Sequence, residues 1–204
     1  MANDVYTYVN FYRISEEGIA KANELFSRLE GYDDDSVFEY TLSSLLEKQP
    51  TDDESYYGFN IDNVGAKWAY IEDPSEYGFT THSAWCVPTE GIKYIFDEIA
   101  KVDETFIGTY TYYDEMPNFV GWQTYRDGYF DEFEEWESDA IIKLILEANP
   151  ELAEEYDAEE EEFTDKGHEM LWDIQDDFVQ ELVNDGLSQE LLWIKEAEEE
   201  EANA

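Results

Sequence analysis

"GFTTHSAWCVPTEGIKYIFDEIAKV", residues 78–102, changes its apolar spacing halfway along. Up to Val87 it is rich in β-branched and aromatic residues, which suits a strand. Beyond Pro88 and Thr89, residues Ile92, Ile95, Phe96 and Ile99 recur at three- and four-residue intervals, the stripe of a helix packed on one side. Upstream, "VYTYVNFYR" (5–13) reads as a first strand. "SEEGIAKANELFSRLEG" (15–31) follows as a helix, with Ser15 as N-cap, Glu16 and Glu17 in the first turn, and Gly31 as the stop. Its core face is Ile19, Ala22, Leu25, Phe26 and Leu29. "GAKWAYIED" (65–73) is a second strand, joined to the third through Pro74 and Gly78. Downstream, "TFIGTYTYYDE" (105–115) and "NFVGWQTYRDG" (118–128) form a hairpin around Met116-Pro117.

The order strand, helix, strand, strand, helix, strand, strand predicts an α+β fold. Its sheet is antiparallel and ferredoxin-like (split βαβ), with two helices and one added strand, over residues 1–130. Residues 31–60 interrupt this order and read as an insertion, with a short helix near 36–48. After residue 130 the composition shifts. Of the 53 Asp and Glu residues, 29 lie in 127–204, beside only 3 of the 11 Lys and Arg. This C-terminal region, 131–204, is expected to be acidic and α-helical and to sit on or beside the first domain. "SDAIIKLILEANP" (138–150) is a helix from a Ser138 cap to an Asn149-Pro150 stop. "DKGHEMLWDIQDDFVQELVNDG" (165–186) is a second, with Leu171, Ile174, Phe178 and Leu182 as its core stripe. "SQELLWIKEAEEEEANA" (188–204) is a third, capped by Ser188, with Leu187, Leu191 and Ile194 on one side.

Several motifs of the first domain resemble the ferredoxin-like domain of the YubB-like proteins of plasmids and phages. They are "NVGAKWAYIED", "SAWCVPTEGIKYIFDEI" and "TYTYYDEMPNFVGWQTYRDG". The shared features are a Gly-x-Lys-Trp strand start (Gly65, Lys67, Trp68), an aromatic passage into a helix (Trp85, Pro88), and an acidic turn before a Gly-aromatic strand (Glu115, Gly121). The opening "VNFYRISEEG" suits the same pattern. The resemblance covers about residues 3–130. It implies a fold and a mobile-element origin, but no activity, so no catalytic residue is carried over.

Composition narrows the function classes. Over 204 residues, 43% hydrophobic and 17% aromatic content suffices for a packed core, so a net charge of −42 does not mean disorder. That charge repels nucleic acid and anionic membranes, which excludes both as direct partners. No run of 18 apolar residues occurs, and the N-terminus lacks a basic start followed by an apolar run. Cys86 is the sole cysteine, so neither an intramolecular disulfide nor a cysteine zinc site can form. A cytoplasmic protein is expected.

No reaction stands out. A catalytic carboxylate pair needs two distinct environments, and 53 acids offer no way to choose one. "DDDSVFEYTLSSLLE" (33–47) lacks the sixth-position Gly and the ligand alternation of a calcium loop. His82 and His168 are far apart in sequence, and no phosphate-loop glycine pattern occurs. Cys86 reads as a buried structural thiol, with no basic neighbour to lower its pKa. Tyr110, Tyr112, Trp122 and Tyr125 alternate along two strands, as base-stacking aromatics do, but the cations that would hold phosphates are missing. A non-enzymatic protein with no cofactor and no metal is expected.

The carboxylates themselves are the candidate functional feature. Solubility of a small domain needs a net charge of only about 2–8. Duplex DNA carries one charge per about 1.7 Å of axis, and a helix rises about 1.5 Å per residue. Acid-rich helices on a rigid core therefore approach duplex charge density. The expected role is an inhibitor, encoded by a phage or plasmid, that imitates nucleic-acid charge. It would occupy the basic groove of a host nucleic-acid-binding protein such as a restriction, CRISPR or recombination factor. The phosphate stand-ins are Glu134, Glu135, Glu137, Glu154, Glu155, Glu159, Glu160, Glu161 and Glu162, then Asp173, Asp176, Asp177 and Glu181. Salt adaptation, a phage assembly or regulatory protein with a basic partner, and an enzyme with a pocket between sheet and insertion are the alternatives. A homodimer is left open.

Overall fold

The computed structural model describes residues 3–29, 41–48, 50–51, 55–114, 118–131, 134–158 and 162–202. It is an α+β protein with an antiparallel sheet. The chain divides into two compact units, Met1–Glu115 with Gln123–Phe133, and Met116–Trp122 with Glu134–Ala204. Residues 116–122 belong with the C-terminal unit, and 131–133 with the first.

The first unit runs β1 (Asp4–Arg13), α1 (Glu16–Phe26), α2 (Leu42–Leu45), α3 (Tyr56–Val64), β2 (Ala69–Ser75), β3 (Gly78–Ala84), α4 (Thr89–Ala100) and β4 (Ile107–Asp114). The second half of β5 (Phe119–Arg126) and β6 (Tyr129–Phe130) complete it. The strand order is β2-β3-β1-β4-β5-β6. In β1, Val5, Thr7, Val9 and Phe11 are buried while Asn10 and Tyr12 are exposed, the two-residue alternation of a strand covered on one face. Ser15 caps α1 by accepting the Gly18 N–H at 3.2 Å, and Ala22, Leu25 and Phe26 go into the core. Ile92, Ile95, Phe96 and Ile99 of α4 are fully buried. Phe11 meets Phe96 and Phe106 edge-on, with ring centroids 6.2 and 5.9 Å apart, a favoured aromatic geometry. Tyr110, Tyr112, Trp122 and Tyr125 are all buried, so none of the four aromatics with base-stacking spacing is presented to solvent.

Two buried carboxylates tie α1 to α4. Asp103, just beyond α4, accepts the Ser15 N–H at 2.6 Å and the Thr105 hydroxyl at 2.8 Å. Burial works to raise its pKa, and these hydrogen bonds outweigh it and hold the carboxyl below its ordinary value. Glu98 is likewise pushed up by burial and pulled further down by Lys101 and Lys21, the latter at 3.2 Å.

The segment expected to be an insertion contributes a helix that the sequence reading missed. Ser55 caps α3 by accepting the Gly58 N–H at 3.1 Å, and Gly65, at φ 91°, ends it. Gly65 is thus a helix stop, and β2 begins at Ala69. Residues 36–40 of the helix expected near 36–48 lie outside the described residues, and within 41–48 the helix is only the single turn of α2, Leu42–Leu45. The third strand ends at Ala84, where Trp85 adopts φ 70° and turns the chain out of the sheet. That turn corrects the reading of Cys86, which is exposed and not a core residue. Its thiol donates to the Gly65 carbonyl at 3.0 Å, and partial desolvation pushes its pKa up.

In the second unit, the first half of β5 pairs with β7 (Glu134–Glu137), setting Val120 opposite Trp136 and Trp122 opposite Glu134. There follow α5 (Ser138–Ala148), α6 (Pro150–Ala153), a hairpin of β8 (Tyr156–Asp157) and β9 (Glu162–Phe163), and α7 (Asp165–Ala202). Ser138, expected as a cap, is the first residue of α5. Pro150 ends α5 and opens α6, where its missing N–H costs nothing. The two helices expected over 165–204 are one helix of 38 residues. Gly186 is not a stop: a Cβ there would come within 2.2 Å of the Trp122 ring, so the glycine lets α7 lie directly on β5.

Two outcomes follow for stability. Gly186→Ala should destabilise the protein by ~1–3 kcal/mol from overpacking, despite a helix-propensity gain of about 1 kcal/mol. In a Trp122→Leu background the same change should be neutral or stabilising, as read from urea midpoints. The Glu98→Gln/Asp103→Asn pair should cost ~1–3 kcal/mol at pH 6 through hydrogen bonds lost from charged groups. Both folded-state pKa values are depressed, so this contribution is fully present above the ordinary carboxylate range of about 4 and is lost as pH falls through the folded values. Urea titrations from pH 6 to pH 3 should show wild type and variant converging.

Candidate functional site

Helix α7 carries a four-residue repeat, "DKGH EMLW DIQD DFVQ ELVN DGLS", over residues 165–188. The first place in each block is a carboxylate: Asp165, Glu169, Asp173, Asp177, Glu181 and Asp185. All six are exposed. The third place holds Gly167, Gln175, Val179, Val183 and Leu187, all buried, with Leu171 half-buried. Two residues on a helix are about 200° apart, so the acid row lies opposite the buried row. Of the stripe expected to be core, Leu171 lies in the third-place row, and Ile174, Phe178 and Leu182 form a half-buried flank between the two rows.

The repeat length sets the shape of the row. Four residues advance about 6 Å and overshoot a full turn by about 40°, so the carboxylates follow a right-handed path. The six span about 30 Å. Phosphates of one DNA strand advance about 3.4 Å each along the axis, so the row has roughly half the linear charge of one strand. The buried row drifts by the same angle, and α7 meets different neighbours along its length. Gly167 lies against Glu155 and Phe163 at the hairpin, while Gly186 lies on Trp122. The Trp122 indole N–H donates to Glu190 one turn further on.

The expected phosphate stand-ins fall on three elements of this unit. Glu135 and Glu137 are exposed on β7, and Glu134 is paired opposite Trp122, its side chain outside those described. Glu154 and Glu162 are exposed beside and within the β8–β9 hairpin, while Glu159, Glu160 and Glu161 lie outside the described residues. Glu155 is committed to local structure. Lys166, at 2.6 Å, and the Thr164 hydroxyl, also at 2.6 Å, hold its carboxyl below the ordinary range. Of the α7 residues, Asp173, Asp177 and Glu181 stand in the row, and the side chain of Asp176 is outside those described. The reading of the sequence missed Asp165, Glu169 and Asp185; the period of four is the signal that finds them.

A groove of about 390 Å³ in the first unit is lined by Glu47, Lys48, Asp62, Lys93 and Asp97, among others. Asp97 there accepts from Lys93 and from the buried Tyr125 hydroxyl, each at 2.7 Å, and burial plus this carboxylate push the Tyr125 phenol well up. Both groups are thereby occupied. Among the described residues, no cluster of His, Cys, Asp and Glu is placed to hold a metal ion, and no helix is long and apolar enough to cross a membrane. Compared with known protein families, curated proteins and solved structures, the chain matches none.

Like charges four residues apart destabilise a helix by about 0.2–0.5 kcal/mol per pair, and the penalty is screened by salt. The triple variant Asp173→Asn/Asp177→Asn/Glu181→Gln removes four such pairs. It should be more stable than wild type by ~1–2 kcal/mol near 10 mM salt, and equal to it near 1 M, by urea unfolding at both concentrations.

Proposed function

We propose that this protein is a non-enzymatic inhibitor that presents a rigid line of carboxylates to a basic, nucleic-acid-binding groove of a host protein. The observation that carries this reading is the unbroken six-carboxylate row of α7, exposed along its length and backed by a buried row. The row opposes the stability of its own helix, so a role outside folding accounts for it. The excess charge, −42 overall, would speed encounter with a basic partner by steering. The strand order β2-β3-β1-β4, with α1 and α4 as the crossing helices, supports a ferredoxin-like reading of the first unit. Together with the YubB-like motifs this favours a plasmid or phage origin and a host-cell cytoplasmic target among restriction, CRISPR or recombination factors. The β7 and hairpin carboxylates, Glu135, Glu137, Glu154 and Glu162, extend the anionic surface of the same unit.

Affinity capture on the immobilised full chain tests the proposal. At low salt it should retain basic nucleic-acid-binding proteins that duplex DNA releases competitively, and binding should fall steeply with salt. The Asp173→Asn/Asp177→Asn/Glu181→Gln variant should retain them at least tenfold less. Capture that DNA does not reverse, or equal capture by the variant, would overturn the proposal.

A further inference from the structure

The face of the first unit's sheet opposite α1 and α4 carries a second ordered feature. Strand register sets Tyr70 of β2 opposite His82 of β3, His82 opposite Tyr6 of β1, and Tyr6 opposite Tyr113 of β4. Four rings from four strands thus form one transverse row. At a strand spacing of about 4.8 Å it crosses about 14 Å of sheet. Tyr6 meets His82 edge-on at 4.5 Å and stacks on Tyr113 at 5.4 Å, and Trp68 stacks on Tyr70 at 5.2 Å to lengthen the row. Tyr6, Tyr70 and His82 are half-buried, and Tyr113 is the buried end.

The charge around the row is negative. The exposed Glu72 carboxylate lies 3.5 Å from the His82 Nε2. Asp4 precedes Tyr6 on the same face, and after burial and the tyrosines Tyr56 and Tyr57 it too pushes the Tyr70 phenol up. The positions of β1 to β4 that flank the row on this face, Asp4, Tyr8, Glu72, Thr80, Ala84 and Thr111, include no lysine or arginine.

We propose that this ring row, with Glu72 beside it, is a seat for an arginine side chain of a basic protein partner. The inference rests on the reading above that the partner is a basic protein, and it adds the chemistry that selects among such partners. A guanidinium is planar, cationic and weakly hydrated, so it stacks on aromatic faces and pairs with a carboxylate at once. A lysine ammonium gains less from either. Nucleobases would stack equally well but bring phosphates to a row flanked by Asp4 and Glu72, on a chain of net charge −42. The same charge opposes a second copy of this chain.

Fluorescently labelled nona-arginine and nona-lysine peptides, titrated into the full chain at about 0.15 M salt, provide the test. Wild type should bind nona-arginine about fivefold or more tightly than nona-lysine, the scale of a partly exposed cation–π contact. Tyr6→Ala and Tyr70→Ala should each cut that preference below about twofold while leaving nona-lysine affinity unchanged, and Tyr6→Phe should keep it. Should the alanine variants misfold, titration of wild type with arginine amide replaces them. The His82 ring protons should shift in the NMR spectrum, and lysine amide should not move them. The Asp173→Asn/Asp177→Asn/Glu181→Gln variant separates the two proposals: it should weaken both peptides alike and leave the arginine preference intact. If it weakens neither peptide while the preference persists, the acid-row reading falls and the arginine seat stands. Equal affinity for both peptides in wild type, a preference that survives both alanine variants, no binding at all, or Tyr6-dependent binding of single-stranded oligo(U) would each overturn the arginine seat.

Discussion

A helix lined with like charges stays helical here because its opposite side is buried. Isolated helices gain little from propensity, and repulsion along the α7 row removes part of that. What holds α7 is its third-place row, from Gly167 at the hairpin to Leu187 beside the close approach of Gly186 to Trp122. The two glycines mark the places where the helix backbone comes nearest its neighbours. Glu190 then anchors the next turn through the Trp122 indole, so one carboxylate of this helix serves the fold while the six of the row do not.

The first unit distributes its aromatic residues by the same rule of two faces. The face toward α1 and α4 takes phenylalanines and the fully buried tyrosines 110, 112 and 125. The other face takes tyrosines whose hydroxyls stay near its surface, such as Tyr8, 3.3 Å from the Tyr113 hydroxyl. Charge is handled with equal economy. The buried acids Glu98 and Asp103 are each matched to donors, whereas the six acids of the α7 row are exposed. A chain with few cations thus uses Lys21 and Lys101 on a carboxylate that burial would otherwise penalise.

Much of the first unit was legible because its strands alternate cleanly and its two long helices carry sharp stripes and caps. The α3 helix was not, since its buried residues Phe59, Asn60 and Val64 include a polar one and its flanks read as loop. The continuity of α7 was hidden by an Asp-Gly pair that reads as a turn until Trp122 is placed against it. The acid row is masked by the apolar residues at mixed three- and four-residue steps. That spacing points to Ile174, Phe178 and Leu182, one position away from the residues that are buried. Tyr6 and Tyr8 are visible as alternate residues of one strand, but the ring row depends on register among four strands, which no single segment encodes.

The columns of the α7 repeat separate charge as a bulk property from charge as a pattern. The fourth place of the repeat is also exposed at His168, Trp172, Asn184 and Ser188, none of them acidic. The first place is a carboxylate every time. Solubility or salt tolerance depends on how many acids a surface carries and would be served equally by either column, or by acids staggered between both to avoid the four-residue repulsion. Sorting them into a single column raises the linear charge density along one path at a cost to the helix. That arrangement gains nothing for a protein that needs only to stay dissolved, and it suits one that must present negative charge in a line.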